Sequence, residues 1–145
     1  MARTFARTRA FPVLAWLFVA ALAIQVFFAG MYVFVGASNI ELHRNMAHVI
    51  GLLTIALVAA VFIGRADRSD KGLTFGVVGL LILQGMLVHV GQWFGLWTIA
   101  ALHPVNALVL TYAALRLAQR SNAYWTQTDA PAVPSPSLEG ASAAA

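Results

Sequence analysis

The sequence contains no cysteine and few charged residues. Without cysteine, disulfides, thiolate metal sites and iron–sulfur clusters are excluded. Charged residues make up 10% of the 145 residues and hydrophobic residues 61%, whereas about 25% of an ordinary soluble domain is charged. The composition therefore indicates a membrane protein.

The hydrophobic residues are gathered into long uninterrupted runs. Crossing the hydrocarbon core of a bilayer takes about 20 mostly apolar residues in a helix, because every backbone polar group must be bonded internally there. Four segments meet this requirement: 11–36, 43–64, 73–97 and 100–117. The sequence therefore predicts an all-α fold, an integral membrane four-helix bundle over residues 11–118, with the lipid bilayer as its surroundings.

The basic residues flank these segments and form no single patch. All of them except Arg44 lie before the first segment, between the second and third, or at the end of the fourth: Arg3, Arg7, Arg9, Arg65, Arg68, Lys71, Arg116 and Arg120. This pattern predicts that both termini face the cytoplasm in a bacterial cytoplasmic membrane, and it gives no surface for nucleic acid. Residues 1–10 are expected to be a basic cytoplasmic N-terminus. Residues 119–145, which include an Ala-, Ser- and Pro-rich stretch, are predicted to form a disordered cytoplasmic tail.

The two halves of the chain contain an internal repeat. "IQVFFAG" at 24–30 aligns with "LQGMLVH" at 83–89, and "ELHRNMA" at 41–47 aligns with "ALHPVNA" at 101–107. Gln25 is thereby matched with Gln84, and His43 with His103. Each half is predicted to be a helical hairpin, so the bundle consists of two parallel hairpin repeats. The repeat places His43 and His103 at the same membrane depth.

This histidine pair is the main candidate site. Two neutral imidazoles on facing helices can bind one haem iron axially, since each offers a nitrogen lone pair within a dry bundle core. We therefore expect His43 and His103 to bind one b-type haem. A histidine at the end of a membrane helix is otherwise an ordinary polar end residue, and His103 followed by Pro104 also suits a helix start.

Further polar residues are secondary candidates for the same site. His48 and His89 lie at comparable depths and form a second possible pair, in which His48 either flanks the same site, bonds the other edge of the cofactor or bridges helices. Gln25 and Gln84 are expected to form hydrogen bonds across helices, with contact to a cofactor or quinone as the alternative. Arg44 either pairs with a haem propionate or extends to lipid phosphates.

The segments "ELHR", "LQG" and "ALHPVNALVL" resemble one four-helix half of haem A synthase, over about residues 20–118. In that family each half has a histidine at the outer end of its second and fourth helices, and the paired halves carry haem. The resemblance implies that His43 and His103 are axial ligands and that Arg44 matches the arginine of the His-Arg pair. The chain also resembles an uncharacterised family of small four-helix bacterial membrane proteins with the same pattern.

The chain departs from the synthase in three ways. It supplies one half instead of two, and it has no cysteine to match the outer-loop cysteines. The catalytic glutamate of the synthase stands three residues before the histidine, where this chain has Ile40, and Glu41 stands two before. Haem A synthesis is therefore not expected.

Three functions follow from these residues. The first is a haem protein for electron transfer or redox sensing, with a redox partner protein or a second copy of the chain as its partner. The second is a haem-free structural or accessory protein whose histidines form hydrogen bonds between helices. The third is an enzyme that modifies haem or a quinone, with Glu41 as the proton carrier.

Overall fold

The computed structural model describes residues 10–64 and 66–128, and all its regular structure there is helical. The helices are α1 (Ala10–Gly30), α2 (Ile40–Ile63), α3 (Arg68–Phe94), α4 (Trp97–Ala100) and α5 (His103–Thr128). A π-helical turn, Met31–Val35, extends α1, and a 3-10 turn, Ala37–Asn39, leads into α2. Most of the predicted N-terminal segment, 1–9, and residues 129–145 of the predicted tail lie outside the described residues.

Four helical spans are each long and apolar enough to cross a bilayer: Ala10–Val35, Ala37–Ile63, Arg68–Phe94 and Trp97–Asn122. They correspond to the four segments predicted from the sequence, with boundaries displaced by a few residues. The protein is therefore a multi-pass membrane protein, as the long apolar runs indicate.

The four long helices form a closed ring of neighbours. Helix α1 packs against α2 and α5, and α3 packs against α5 and α2. The helices therefore follow the order α1, α2, α3, α5 around the bundle, and α2 and α5 lie diagonally across its axis. The hairpins α1–α2 and α3–α5 are the two units that the internal repeat predicts, and the predicted all-α four-helix membrane bundle is confirmed.

Alanines, valines, leucines and phenylalanines fill the bundle centre, while many other large apolar side chains lie on its outside. The buried set includes Ala15, Phe18, Leu57, Val61, Val77, Leu110, Ala114 and Leu117. Helix association in lipid depends on close van der Waals packing, because lipid tails are as apolar as the side chains they would replace. The alanines let neighbouring helices approach closely, whereas outward residues such as Phe34, 88% exposed, are available to lipid.

The third helix ends earlier than the sequence predicts. Gly95 has φ +67°, a left-handed conformation that commonly terminates a helix and that favours glycine. The chain then turns into the short helix α4, which begins at Trp97. Gly91 lets α4 lie against α3, because a Cβ added there would come within 2.7 Å of Ala100 Cβ.

The fourth span extends further than predicted. Helix α5 continues to Thr128, so residues 119–128 are helical and not part of a disordered tail. The reason is that the bundle still offers contacts beyond residue 118. Ser121 is buried, and Arg120 Nε donates to Asp70 Oδ1 of α3 at 3.3 Å.

Packing at the bundle centre is testable with two leucines of α2. Leu57 is 0% exposed and Leu52 is 68% exposed. Leu57→Ala leaves a cavity and should reduce the free energy of unfolding by about 2 kcal/mol, measured by thermal unfolding in detergent. Leu52→Ala is the matched control and should change it little, because lipid or detergent fills the space; equal losses in the two variants would contradict the proposed packing.

Candidate functional site

The imidazole rings of His43 and His103 face each other across the bundle. His43 lies in the first turn of α2 and His103 begins α5, the two diagonal helices. Their ring centroids are 6.4 Å apart, with an angle of 64° between the ring planes. Both side chains are half-buried. The structure thus brings together the two residues that the repeat predicts as a pair, and we call this end of the bundle the histidine end.

Each histidine is oriented by a glutamine of the other long helix in its hairpin, α1 for His43 and α3 for His103. His43 Nδ1 lies 3.3 Å from the backbone oxygen of Gln25, and His103 Nδ1 lies 3.0 Å from the backbone oxygen of Gln84. A carbonyl oxygen only accepts hydrogen bonds, so Nδ1 is the donor in both rings. In the neutral imidazole the lone pair is then on Nε2. The two halves therefore orient their histidines in the same way.

The Gln84 amide is held at both of its ends. Its Nε2 donates to the backbone oxygen of His103 at 2.9 Å. Its Oε1 accepts a short hydrogen bond from Asn106 Nδ2, and the same Nδ2 donates to the backbone oxygen of Leu80 at 2.9 Å. These contacts join α3 to α5, as expected for a polar residue inside a membrane bundle.

The Gln25 amide is held at one end only. Its Nε2 lies 3.2 Å from His43 Nε2 and donates to the lone pair on that nitrogen. Its Oε1 is buried and has no hydrogen-bond partner within residues 10–64 and 66–128. A buried polar atom without a partner is uncommon and calls for a specific explanation.

Asn106 is a site residue that the sequence analysis missed. It is 8% exposed and supplies both hydrogen bonds described above. The available signal was its position three residues after His103, which places the two side chains on one helix face. A lone asparagine in an apolar run gives no indication of its partners, so the fold was needed to find them.

Other sequence candidates lie apart from the ring pair. Arg44 Nη1 donates to Glu41 Oε1 at 2.8 Å, and both side chains are exposed. His48 is exposed and has no hydrogen bond in the part of the chain that is described. His89 is also exposed and stacks on Trp93, with ring centroids 5.6 Å apart. The structure does not bring the rings of His48 and His89 into contact.

The histidine end offers two imidazoles to a metal ion. The described residues contain no group of three or more His, Cys, Asp or Glu side chains that could hold a metal ion, whereas a structural zinc ion takes four. The iron of a haem has four ring nitrogens and needs only axial ligands from the protein.

The spacing of the two rings is that of two imidazoles that would share one metal ion. Metal–imidazole bonds of about 2.0 Å on both sides of one ion would place the two ring centroids roughly 6 Å apart, close to the 6.4 Å found here. In both rings Nδ1 makes the hydrogen bond to a backbone oxygen, so that bond does not use the lone pair on Nε2. For His43 to use its lone pair in this way, the Gln25 amide must first turn away from it.

Comparison with known proteins gives one similarity. Residues 25–92, slightly less than half of the chain, match a family of unknown function, DUF6220. The matched region includes Gln25, His43 and Gln84 and ends before His103. No curated protein and no solved structure matches the chain.

The role of Asn106 in this polar layer is testable by stability. Asn106→Ala leaves Gln84 Oε1 and the Leu80 oxygen without their donor and should lower the free energy of unfolding by about 1–3 kcal/mol. The measurement is thermal unfolding in detergent, with the exposed Asn45→Ala as the matched control. A loss no larger than that of the control would show that the hydrogen bonds of Asn106 do not stabilise the bundle.

Proposed function

We propose that this protein binds one b-type haem between His43 and His103 and serves in electron transfer or redox sensing. The observation that supports this most is the ring pair, whose centroids lie 6.4 Å apart on diagonal helices while both Nδ1 atoms donate to backbone oxygens. A bound haem would supply one-electron redox chemistry at its iron.

The surrounding residues have defined tasks in this proposal. The Nδ1 hydrogen bonds to Gln25 and Gln84 orient the rings and make Nε2 a better donor to iron. The half-buried position limits access of water, which is a further influence on the redox potential. Arg44 is exposed and bonded to Glu41, so pairing with a propionate requires exchange of that partner.

Two histidine ligands favour electron transfer over substrate chemistry, because a haem bound by both rings would have no open position at iron until one ring leaves it. An enzyme that modifies haem or a quinone is less well supported. Glu41, its only candidate proton carrier, is exposed and paired with Arg44, and no hydrogen bond joins it to the ring pair in the part of the chain described. The resemblance to half of haem A synthase supports the cofactor and not the reaction.

The proposal includes a membrane orientation and partners. With both termini in the cytoplasm of a bacterium, the histidine end faces the outer side of the cytoplasmic membrane. A redox partner protein would then approach at this end. A second copy of the chain would restore the eight-helix arrangement of the synthase.

An optical spectrum of the detergent-purified protein, expressed with adequate haem, tests the cofactor. We expect a Soret band in the wild-type protein. Replacing both ligands, His43→Ala with His103→Ala, should remove the band because no protein ligand to iron then remains. The absence of a Soret band from the wild type would reject the proposal.

The two other histidines provide the matched controls. His48→Ala and His89→Ala change exposed residues outside the ring pair. Each should retain the Soret band at its wild-type position and intensity. A band that persists in the double ligand variant but disappears in a control variant would place the haem elsewhere.

A haem-free structural role is the second candidate, and one observation favours it. His43 Nε2 already accepts a hydrogen bond from Gln25, so both nitrogens of this ring have partners without any ligand. In this role the histidines stabilise the hairpins through hydrogen bonds between helices.

The two candidates make different predictions for His43→Ala. As a structural residue, His43 contributes its hydrogen bonds, so the variant should lose about 1–2 kcal/mol of unfolding free energy in haem-free protein. As a haem ligand it should also alter the optical spectrum of the loaded protein. Lower stability with no chromophore in either protein would support the structural role.

A further inference from the structure

The two histidines of the pair differ at Nε2, the nitrogen proposed to bind iron. His43 Nε2 accepts a hydrogen bond from Gln25 Nε2 at 3.2 Å. His103 Nε2 has no hydrogen-bond partner among residues 10–64 and 66–128. The lone pair of His43 therefore has an alternative partner within the protein, and that of His103 has none.

The two halves also differ at the position three residues after each histidine. When the two halves are aligned, Asn106 corresponds to Met46. Asn106 Nδ2 donates to Gln84 Oε1, which turns Gln84 Nε2 toward the backbone oxygen of His103 and away from its ring. The thioether of Met46 has no hydrogen to donate. Gln25 Oε1 accordingly lacks a partner, and Gln25 Nε2 contacts the ring of His43.

We infer that His103 is the permanent axial ligand and His43 the exchangeable one, so that the haem site accepts a small neutral molecule such as carbon monoxide on the His43 side. This inference rests on the proposed haem binding. The Gln25 amide competes with iron for the His43 lone pair, whereas the Gln84 amide is held away from His103 by Asn106.

The exchange would be a substitution of ligands. His43 Nε2 would leave iron with its electron pair, and that lone pair would accept the hydrogen bond of Gln25 Nε2, which is the contact found in the structure. The incoming molecule would donate its own lone pair to iron, and no electron or proton would be transferred. One hydrogen bond gained in the open form favours it by about fivefold.

Carbon monoxide binding to the reduced, haem-loaded protein in detergent tests this inference, followed by optical titration. We expect the wild-type protein to bind carbon monoxide. Met46→Asn gives Gln25 Oε1 the donor that Asn106 gives Gln84, so it should draw the Gln25 amide away from His43. The affinity for carbon monoxide should then fall by about fivefold, the contribution of one hydrogen bond.

A second variant tests the same contact without adding a polar group. Gln25→Leu removes the amide that competes for His43 and should also weaken carbon monoxide binding by about fivefold. Gln92→Leu is the matched control, because Gln92 is an exposed glutamine of α3 outside the site. The affinity of this variant for carbon monoxide should equal that of the wild type. Unchanged affinity in both Met46→Asn and Gln25→Leu would overturn the role of Gln25.

Failure of the inference and failure of the proposed function give different results. A wild-type protein without a Soret band would overturn haem binding and the exchange with it. A protein with a Soret band that does not bind carbon monoxide would overturn the exchange alone. Side-chain nitrogen NMR of haem-free protein gives a further readout: the Nε2 signal of His43 should show a hydrogen bond that Met46→Asn removes, and identical signals in the two proteins would contradict the inference.

Discussion

Polar groups inside a membrane bundle must find their partners within the bundle, because the hydrocarbon around it offers none. Among the described residues of the histidine end, both Nδ1 atoms and both glutamine amides have such partners, except at Gln25 Oε1. Each histidine donates from Nδ1 to a backbone oxygen of the preceding long helix, and each glutamine amide donates to a group of the next one. These hydrogen bonds join α1 to α2 and α3 to α5, and they determine which way both imidazoles face.

The two halves share the glutamine–histidine contact, but they differ in how many partners the glutamine amide has. In the second half every polar atom of the Gln84 amide has a partner, and the amide is therefore confined to one orientation. In the first half a methionine stands where the second has Asn106, and Gln25 Oε1 is left buried and unpaired. The ring pair therefore lies between one glutamine amide that is hydrogen-bonded at both ends and one that is hydrogen-bonded at a single end.

The opposite end of the bundle has a different polar structure. Asp67 caps α3 by accepting from the backbone nitrogen of Asp70 at 2.8 Å, and the buried Asp70 pairs with Arg120 of α5. The Asp70 side chain is buried while that of Arg120 is partly exposed, so this contact brings a charge of α5 to a buried carboxylate of α3. This pair connects α3 and α5 far along α5 from His103, and it explains why α5 remains ordered beyond the apolar run.

The sequence by itself determined the class of protein, the four spans, the two hairpins and the pairing of His43 with His103. These features depend on the apolar runs and on the similarity between the two halves of the chain, and both can be read from a single sequence. The sequence could not determine the end of α5, since Arg120 and Ser121 are held by contacts to a partner helix. Nor could it determine whether His48 and His89 face the ring pair, because depth in the membrane is set by position along a helix while the direction of a side chain depends on packing. Only the tertiary structure placed the first pair 6.4 Å apart and left the second exposed. It alone also identified Asn106 as the donor to Gln84, because hydrogen bonds between distant segments are decided by how the helices pack.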